Sequence, residues 1–207
     1  MTDFSASRYI HIYPTPLFTH VWEDAPELNK SLRQRILAHR ANSPGVSKSN
    51  QGGWHSEHGL LEFCGDAGQA LVRHIHEMAD EATNRLLAEL GREPQRIEWR
   101  LTCWVNVNRS GDFNQVHVHP GWTWSGCYYV DAGEPAQNSE GGLLNLIDPC
   151  QGRSMTFLPS IPSRTYVRPR PGLMVLFPSY VPHMVFPHEG ASERISIAFN
   201  LRKEPFP

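Results

Sequence analysis

Long hydrophobic runs are missing from this sequence. No segment of its 207 residues approaches the roughly 18 consecutive apolar residues of a membrane span, so none is expected. Met1–Tyr9 has no apolar stretch after a basic start, which argues against a secretory signal. Charge of one sign is equally scarce. Lys and Arg number 19 against 21 Asp and Glu, a net charge of −2 with no basic block, so nucleic acid is not an expected partner. Cysteine is sparse too: Cys64, Cys103, Cys127 and Cys150 are scattered and form no Cys-x-x-Cys pair. That spacing supports neither a zinc ribbon nor a redox motif, and four reduced thiols in a cytoplasmic protein are the expectation.

What is present is turn chemistry. Seventeen prolines and 16 glycines beside 40% apolar residues describe a globular, turn-rich chain long enough to bury a core as a single domain over 1–207. Residues 9–22 alternate apolar and polar positions around Pro14 and Pro16, which suits an edge strand with a break. An open edge near Tyr9–Phe18 is where a second copy would pair in a homodimer. Residues 26–40 predict a helix, with Pro26 near its start and Leu28, Leu32, Ile36 and Leu37 on one face. After a polar loop over 42–53, a second helix is expected from an Asp66 N-cap to Leu90. Ala70, Leu71, His74, Ile75, Met78, Ala82 and Leu86 form its buried stripe, and Gly91 its C-terminal stop.

From Ile97 the texture changes. Strand-like runs over 97–106, 115–119, 125–130, 142–147, 172–177 and 193–201 follow one another between Gly, Pro, Asn and Asp. The fold class read from this order is mainly β: a double-stranded β-helix, or cupin-like jelly roll, over 97–203. An N-terminal strand and helices in 1–96 support one sheet.

Within that core, Asn114-Gln115-Val116-His117-Val118-His119-Pro120 carries the chemistry. Histidines at i and i+2 on a strand share a face, and imidazole is the commonest transition-metal side-chain ligand. His183, in a proline-framed loop returning from far along the chain, offers a third donor. In Arg194-Ile195-Ser196-Ile197-Ala198-Phe199-Asn200 the polar or small residues share one face and the apolar ones the other, so the inner face lines a pocket. Arg194 is suited to hold a carboxylate through two parallel hydrogen bonds, with Ser196 beside it.

These residues resemble the iron(II)- and 2-oxoglutarate-dependent oxygenases, most closely the small bacterial and phage type within the prolyl-hydroxylase-like superfamily. The resemblance rests on Pro14-Thr15-Pro16, Asn50-Gln51-Gly52-Gly53-Trp54-His55-Ser56, His117-Val118-His119-Pro120, Ser125-Gly126-Cys127-Tyr128-Tyr129 and Phe177-Pro178…His183…Arg194. It implies Fe(II), 2-oxoglutarate and O2, with His117, His119 and His183 on the metal. It also implies Arg194, Tyr129, Ser196 and Asn106 (or Asn108) around 2-oxoglutarate. His119 stands where most of the superfamily has Asp or Glu, so the implied set is three neutral imidazoles unless Asp112 or Asp148 supplies the acid. The implied reaction hydroxylates a C–H bond while 2-oxoglutarate loses CO2 to become succinate.

Trp104, Trp122 and Trp124 read as core more readily than as a pocket roof. His55, His58 and His188 read as solvated or structural, and His74 and His76 receive no role. Two other functions share the fold: a three-histidine cupin-type dioxygenase without 2-oxoglutarate, and a non-enzymatic jelly-roll binding module. Arg194 and Tyr129 separate the first from the oxygenase, and three convergent histidines argue against the second. The expected substrate is a small molecule or amino-acid-like compound.

Overall fold

The computed structural model describes residues 5, 7, 14–134, 139–150 and 163–204. Tyr9–Tyr13 of the expected edge strand lie outside them. The strand that forms, β1 (Phe18–Val21), pairs antiparallel with β9 (Leu173–Pro178) and borders the larger sheet. Helix α1 (Ala25–Arg40) and helix α2 (Leu60–Glu89) follow, separated by two-residue strands β2 (Asn50–Gln51) and β3 (Trp54–His55). The remaining strands are β4 (Trp99–Asn108), β5 (Phe113–His117), β6 (Trp124–Asp131), β7 (Leu144–Ile147), β8 (Arg164–Val167), β10 (His183–Val185) and β11 (Arg194–Lys203).

Two antiparallel sheets result, one ordered β1-β9-β6-β11-β4-β3 and the other β2-β5-β10-β7-β8. This is the mainly-β jelly roll with helical support that the strand spacing predicts. The helices pack on each other and on β4 and β6 of the larger sheet. Leu28, Leu32 and Ile36 of α1 and Leu71, Ile75, Met78 and Ala82 of α2 are buried there, as their i, i+4 spacing requires. Ala70, His74 and Leu86 sit only partly covered at the margin.

Helix α2 begins earlier than expected. Its helical run starts at Leu60, but Gly65 breaks it with φ 53° and ψ −131°, so the regular stretch still opens at Asp66. Gly91 ends it in the left-handed region at φ 66°, its N–H reaching the Ala88 carbonyl at 2.9 Å.

β11 divides the two cores. Ile195, Ile197, Phe199 and Leu201 face the helices, while Arg194, Ser196 and Ala198 face the smaller sheet. Each fully buried aliphatic side chain contributes about 1.5–3 kcal/mol, and that anchorage fixes which residues the opposite face presents. β6 behaves alike, with Tyr128 toward the helices and Tyr129 in the core between the sheets.

Gly126 leaves no room for a side chain inside the larger sheet. A Cβ there would lie 2.3 Å from the Val175 carbonyl oxygen and 2.5 Å from the Phe199 ring, both held inside the sheet. Gly126→Ala is therefore expected to cost roughly 2–3 kcal/mol through overpacking. A urea titration checks this, and an unchanged midpoint would show that the sheet gives way freely.

Candidate active site

The three histidines of the sequence motif meet. His117 ends β5 and His183 opens β10, and the register sets them directly opposite one another. Their ring centroids lie 4.3 Å apart. His119 falls two residues beyond the strand rather than on it, yet its ring closes the triangle at 4.9 Å from His117 and 5.1 Å from His183. A hydrogen bond places it: the His119 N–H donates to the Ser179 carbonyl at 3.1 Å. Ser179 in turn donates its N–H to Thr123 at 3.1 Å and meets the Ser125 hydroxyl at 2.8 Å. The segments carrying His119 and His183 are thus tied to one another and to β6. His183 stands on a three-residue strand, not in the loop the prolines suggest.

One ring nitrogen from each histidine lies within 4.8 Å of the others, a group able to hold a metal ion. Tautomers follow from the bonds on the far side. His117 Nδ1 meets the Gln115 carbonyl at 2.6 Å and His183 Nδ1 the Val181 carbonyl at 2.9 Å. A carbonyl only accepts, so both Nδ1 atoms carry the proton and both Nε2 atoms present a lone pair. Among the described residues no Asp or Glu joins the group. Asp112 accepts the Arg109 N–H at 2.7 Å and Asp148 that of Cys150 at 2.9 Å.

Burial and mutual repulsion keep these rings neutral. Desolvation, then the His117 ring, holds His183 down at about 3 and His119 at about 4, and desolvation also lowers His117. Unfolded imidazoles titrate near 6.5, so between the two values the unfolded chain binds more protons than the folded one. Stability of the metal-free protein is therefore expected to be flat in this respect above about pH 6.5. It should fall on acidification, by on the order of 3 kcal/mol from each of His119 and His183 at pH 4. Urea unfolding between pH 7.5 and 4 measures this. A His119→Asn, His183→Asn double variant should show a shallower fall, and an equal slope would assign the acid sensitivity to carboxylates instead.

Behind the histidines, a narrow cleft between the sheets reaches Asn106, Arg194 and Ser196. Arg194 is 2% exposed. It donates to the Asn108 amide oxygen at 3.3 Å and the Ser196 hydroxyl at 3.2 Å, and its guanidinium lies 5.1 Å from the Tyr129 ring centroid. No carboxylate pairs with it among the described residues. The Tyr129 hydroxyl is fully buried and forms no well-aligned hydrogen bond. Burial, then the flanking Cys127 thiol, pushes its pKa well above the usual value, so it remains a donor. The Asn106 amide oxygen is also buried without a partner. A buried cation without a counter-charge beside idle polar groups is costly, and a carboxylate-bearing ligand would satisfy them together.

Sequence reasoning assigned the tryptophans only in part. Trp104 does wall the cleft, 5.8 Å from the His119 ring, and is stacked against His55 at 5.8 Å and 10°. Trp124 is core, donating to Thr83 at 3.0 Å, and Trp122 lies under Arg202 at 5.6 Å. His55 and His188 are buried, not solvated. Asn114 and Cys127, passed over in the sequence, line the same cleft. Asn114 had a signal, three residues before His117, whereas Cys127 shows itself only by facing Ala198 across the β6–β11 register.

Residues 102–200 match the family described as "Putative 2OG-Fe(II) oxygenase". No curated protein matches the chain. Among solved structures it is similar to a Pseudomonas putida prolyl-4-hydroxylase, with TM-score 0.63, 20% identity, and 91% of this chain and 92% of that one covered. A Trichoplax adhaerens prolyl hydroxylase in complex with a hypoxia inducible factor oxygen degradation domain peptide fragment gives 0.60 and 19%, over 91% and 84%. HygX from Streptomyces hygroscopicus, with nickel and 2-oxoglutarate bound, gives 0.58 and 12%, over 92% and 84%. At these identities the likeness is one of fold. The matched stretch runs from β4 to β11 and contains all three histidines and Arg194.

Proposed function

We propose that the chain acts as one domain and is an Fe(II)- and 2-oxoglutarate-dependent oxygenase, a reading supported by the family match over residues 102–200. In this reading it hydroxylates an unactivated C–H bond of a small or amino-acid-like molecule. The observation that carries it is the buried, carboxylate-free Arg194 in the same cleft as three converging imidazoles. A three-histidine dioxygenase without 2-oxoglutarate would have no use for that cation, and a binding module none for the histidines.

The residues fit the groups they would hold. Three neutral imidazoles with lone pairs aimed inward suit Fe(II), and His117, His119 and His183 would hold it. The remote carboxylate of 2-oxoglutarate would rest on Arg194, Ser196 and Tyr129, with Asn106 nearby. When bound, Fe(II) would activate O2 as the oxidant, with 2-oxoglutarate as co-reductant: one oxygen atom would end in succinate as CO2 is lost, and the other in the substrate's new hydroxyl. The protein's own work is orientation and exclusion. Carbonyl-anchored histidines keep their tautomers, the two β11 faces keep Arg194 aimed inward, and Trp104 shields the metal side from water. Three uncharged ligands leave the full metal charge to attract a dianionic co-substrate.

Anaerobic addition of Fe(II) and then 2-oxoglutarate should produce a weak visible charge-transfer band that needs both. Iron binding without the band would favour the three-histidine dioxygenase, and no iron binding would sink both enzyme readings. Tyr129→Phe should weaken 2-oxoglutarate binding by roughly fivefold, the worth of about 1 kcal/mol for one neutral hydrogen bond. An unchanged affinity would remove Tyr129 from the cradle.

A further inference from the structure

We infer that His188 is a positioning residue for Arg194: its Nδ1 receives the Arg194 Nε–H through a single water molecule lodged over Gly142, fixing the plane of the guanidinium. The inference rests on the reading of Arg194 as the 2-oxoglutarate anchor.

His188 is 1% exposed, six residues before Arg194. Its Nε2 meets the Ser192 carbonyl at 2.8 Å, so that nitrogen carries the proton and Nδ1 is left as an acceptor. His188 Nδ1 and Arg194 Nε are both buried and neither has a partner among the described residues. One is an acceptor and the other a donor, and they border the same space. A Cβ on Gly142 would stand 3.4 Å from His188 Nδ1, 3.4 Å from Arg194 Cδ and 3.7 Å from Arg194 Nε. Both groups are unsatisfied on their own, and a small polar bridge answers both.

The surroundings hold the ring at that spot. A Cβ on Gly133 would come within 2.6 Å of His188 Cε1 and Nε2, and one on Gly190 within 2.5 Å of Cε1. The backbone is pinned as well: the His188 N–H donates to Asp112 at 2.9 Å, and Gly111 donates to the His188 carbonyl at 2.8 Å. A neutral ring suits this task better than a carboxylate would. An acid beside Arg194 would cancel the charge that a co-substrate carboxylate needs, whereas imidazole fixes orientation and leaves the charge free.

Calorimetric titration of the Fe(II)-loaded full chain with 2-oxoglutarate, under anaerobic conditions, tests this with three variants. His188→Leu keeps bulk but removes the acceptor, and should raise the 2-oxoglutarate Kd about tenfold while Fe(II) affinity stays within twofold. His188→Asn keeps an acceptor near the Nδ1 position and should restore the Kd to within about threefold. Equal weakening in both variants, or none in either, overturns the inference. Arg194→Ala separates the two readings. If it leaves 2-oxoglutarate binding intact, the anchor assignment itself fails. If it abolishes binding while His188→Leu does not alter it, only the role of His188 fails. Ring nitrogen NMR of the unmodified protein needs no variant to fold. A proton on Nε2 with Nδ1 bare is expected, and a proton on Nδ1 would overturn the inference.

Discussion

Arg194→Met is expected to weaken 2-oxoglutarate binding by roughly 150-fold without lowering the stability of the ligand-free protein. The first half follows from what a buried guanidinium does for a carboxylate. Truncating one partner of a desolvated, hydrogen-bonded charge pair costs about 2–5 kcal/mol, and 3 kcal/mol is somewhat over two decades in affinity. The second half follows from the resting state of this site. Arg194 is 2% exposed, its only side-chain partners are neutral, and no carboxylate answers it among the described residues. The folded protein thus carries a desolvation cost that a ligand would offset. Methionine removes the charge and fills similar space, a replacement that is often neutral or stabilising by about 1–4 kcal/mol for buried ions. Loss of the Asn108 and Ser196 bonds works against this, so the net expectation is a Tm equal to or above that of the unmodified protein. Calorimetric titration and thermal melts on one preparation decide the matter. Weak binding with a clearly lowered Tm would mean that Arg194 is a structural residue, and retained binding would place the co-substrate elsewhere. Arg194→Lys should fall between, since it keeps the charge but not the planar fork.

Much of this site was legible because its elements repeat with period two. In β11 the alternation of Ile195, Ile197 and Phe199 with Arg194, Ser196 and Ala198 assigns one face to the helices and the other to the cleft. The helices were legible for the same reason at period 3.6. What escaped the sequence depends on contacts between distant segments. β10 has three residues and follows Pro182, so no periodicity can announce it. It exists because β5 and β7 flank it, His183 standing opposite both His117 and Leu146. β8 likewise forms only as the partner of β7. Sequence alone leaves His188 open between solvated and structural because the glycines that enclose it, Gly133, Gly142 and Gly190, are spread over 58 residues of chain. The start of α2 was misplaced because Gly65 reads as a helix boundary, and locally it is one: the chain resumes a helical path on both sides of a single left-handed residue.

His119→Ala is expected to reduce Fe(II) affinity by more than about a hundredfold and to abolish turnover, as His183→Ala should. The magnitude matters because it separates two roles. A group that only orients a metal ligand typically costs 10–100-fold when removed, whereas a ligand costs more. We propose His119 as one of the ligands on its geometry. Its ring is as near His117 and His183 as three donors to one ion require, and it makes no hydrogen bond of its own among the described residues that would occupy its nitrogens. The backbone bond to Ser179 holds the turn while leaving the ring free to coordinate. The imidazole is neutral throughout the working range, since desolvation and then His117 hold its pKa at about 4, so protons do not compete for it near pH 7. Anaerobic Fe(II) titration of the two variants beside the unmodified protein gives the comparison. A loss within tenfold for His119→Ala, against a complete loss for His183→Ala, would leave a two-histidine centre with His119 as its support. Matching losses would establish a facial set of three neutral imidazoles, whose undiminished metal charge then bears on both carboxylates of the co-substrate.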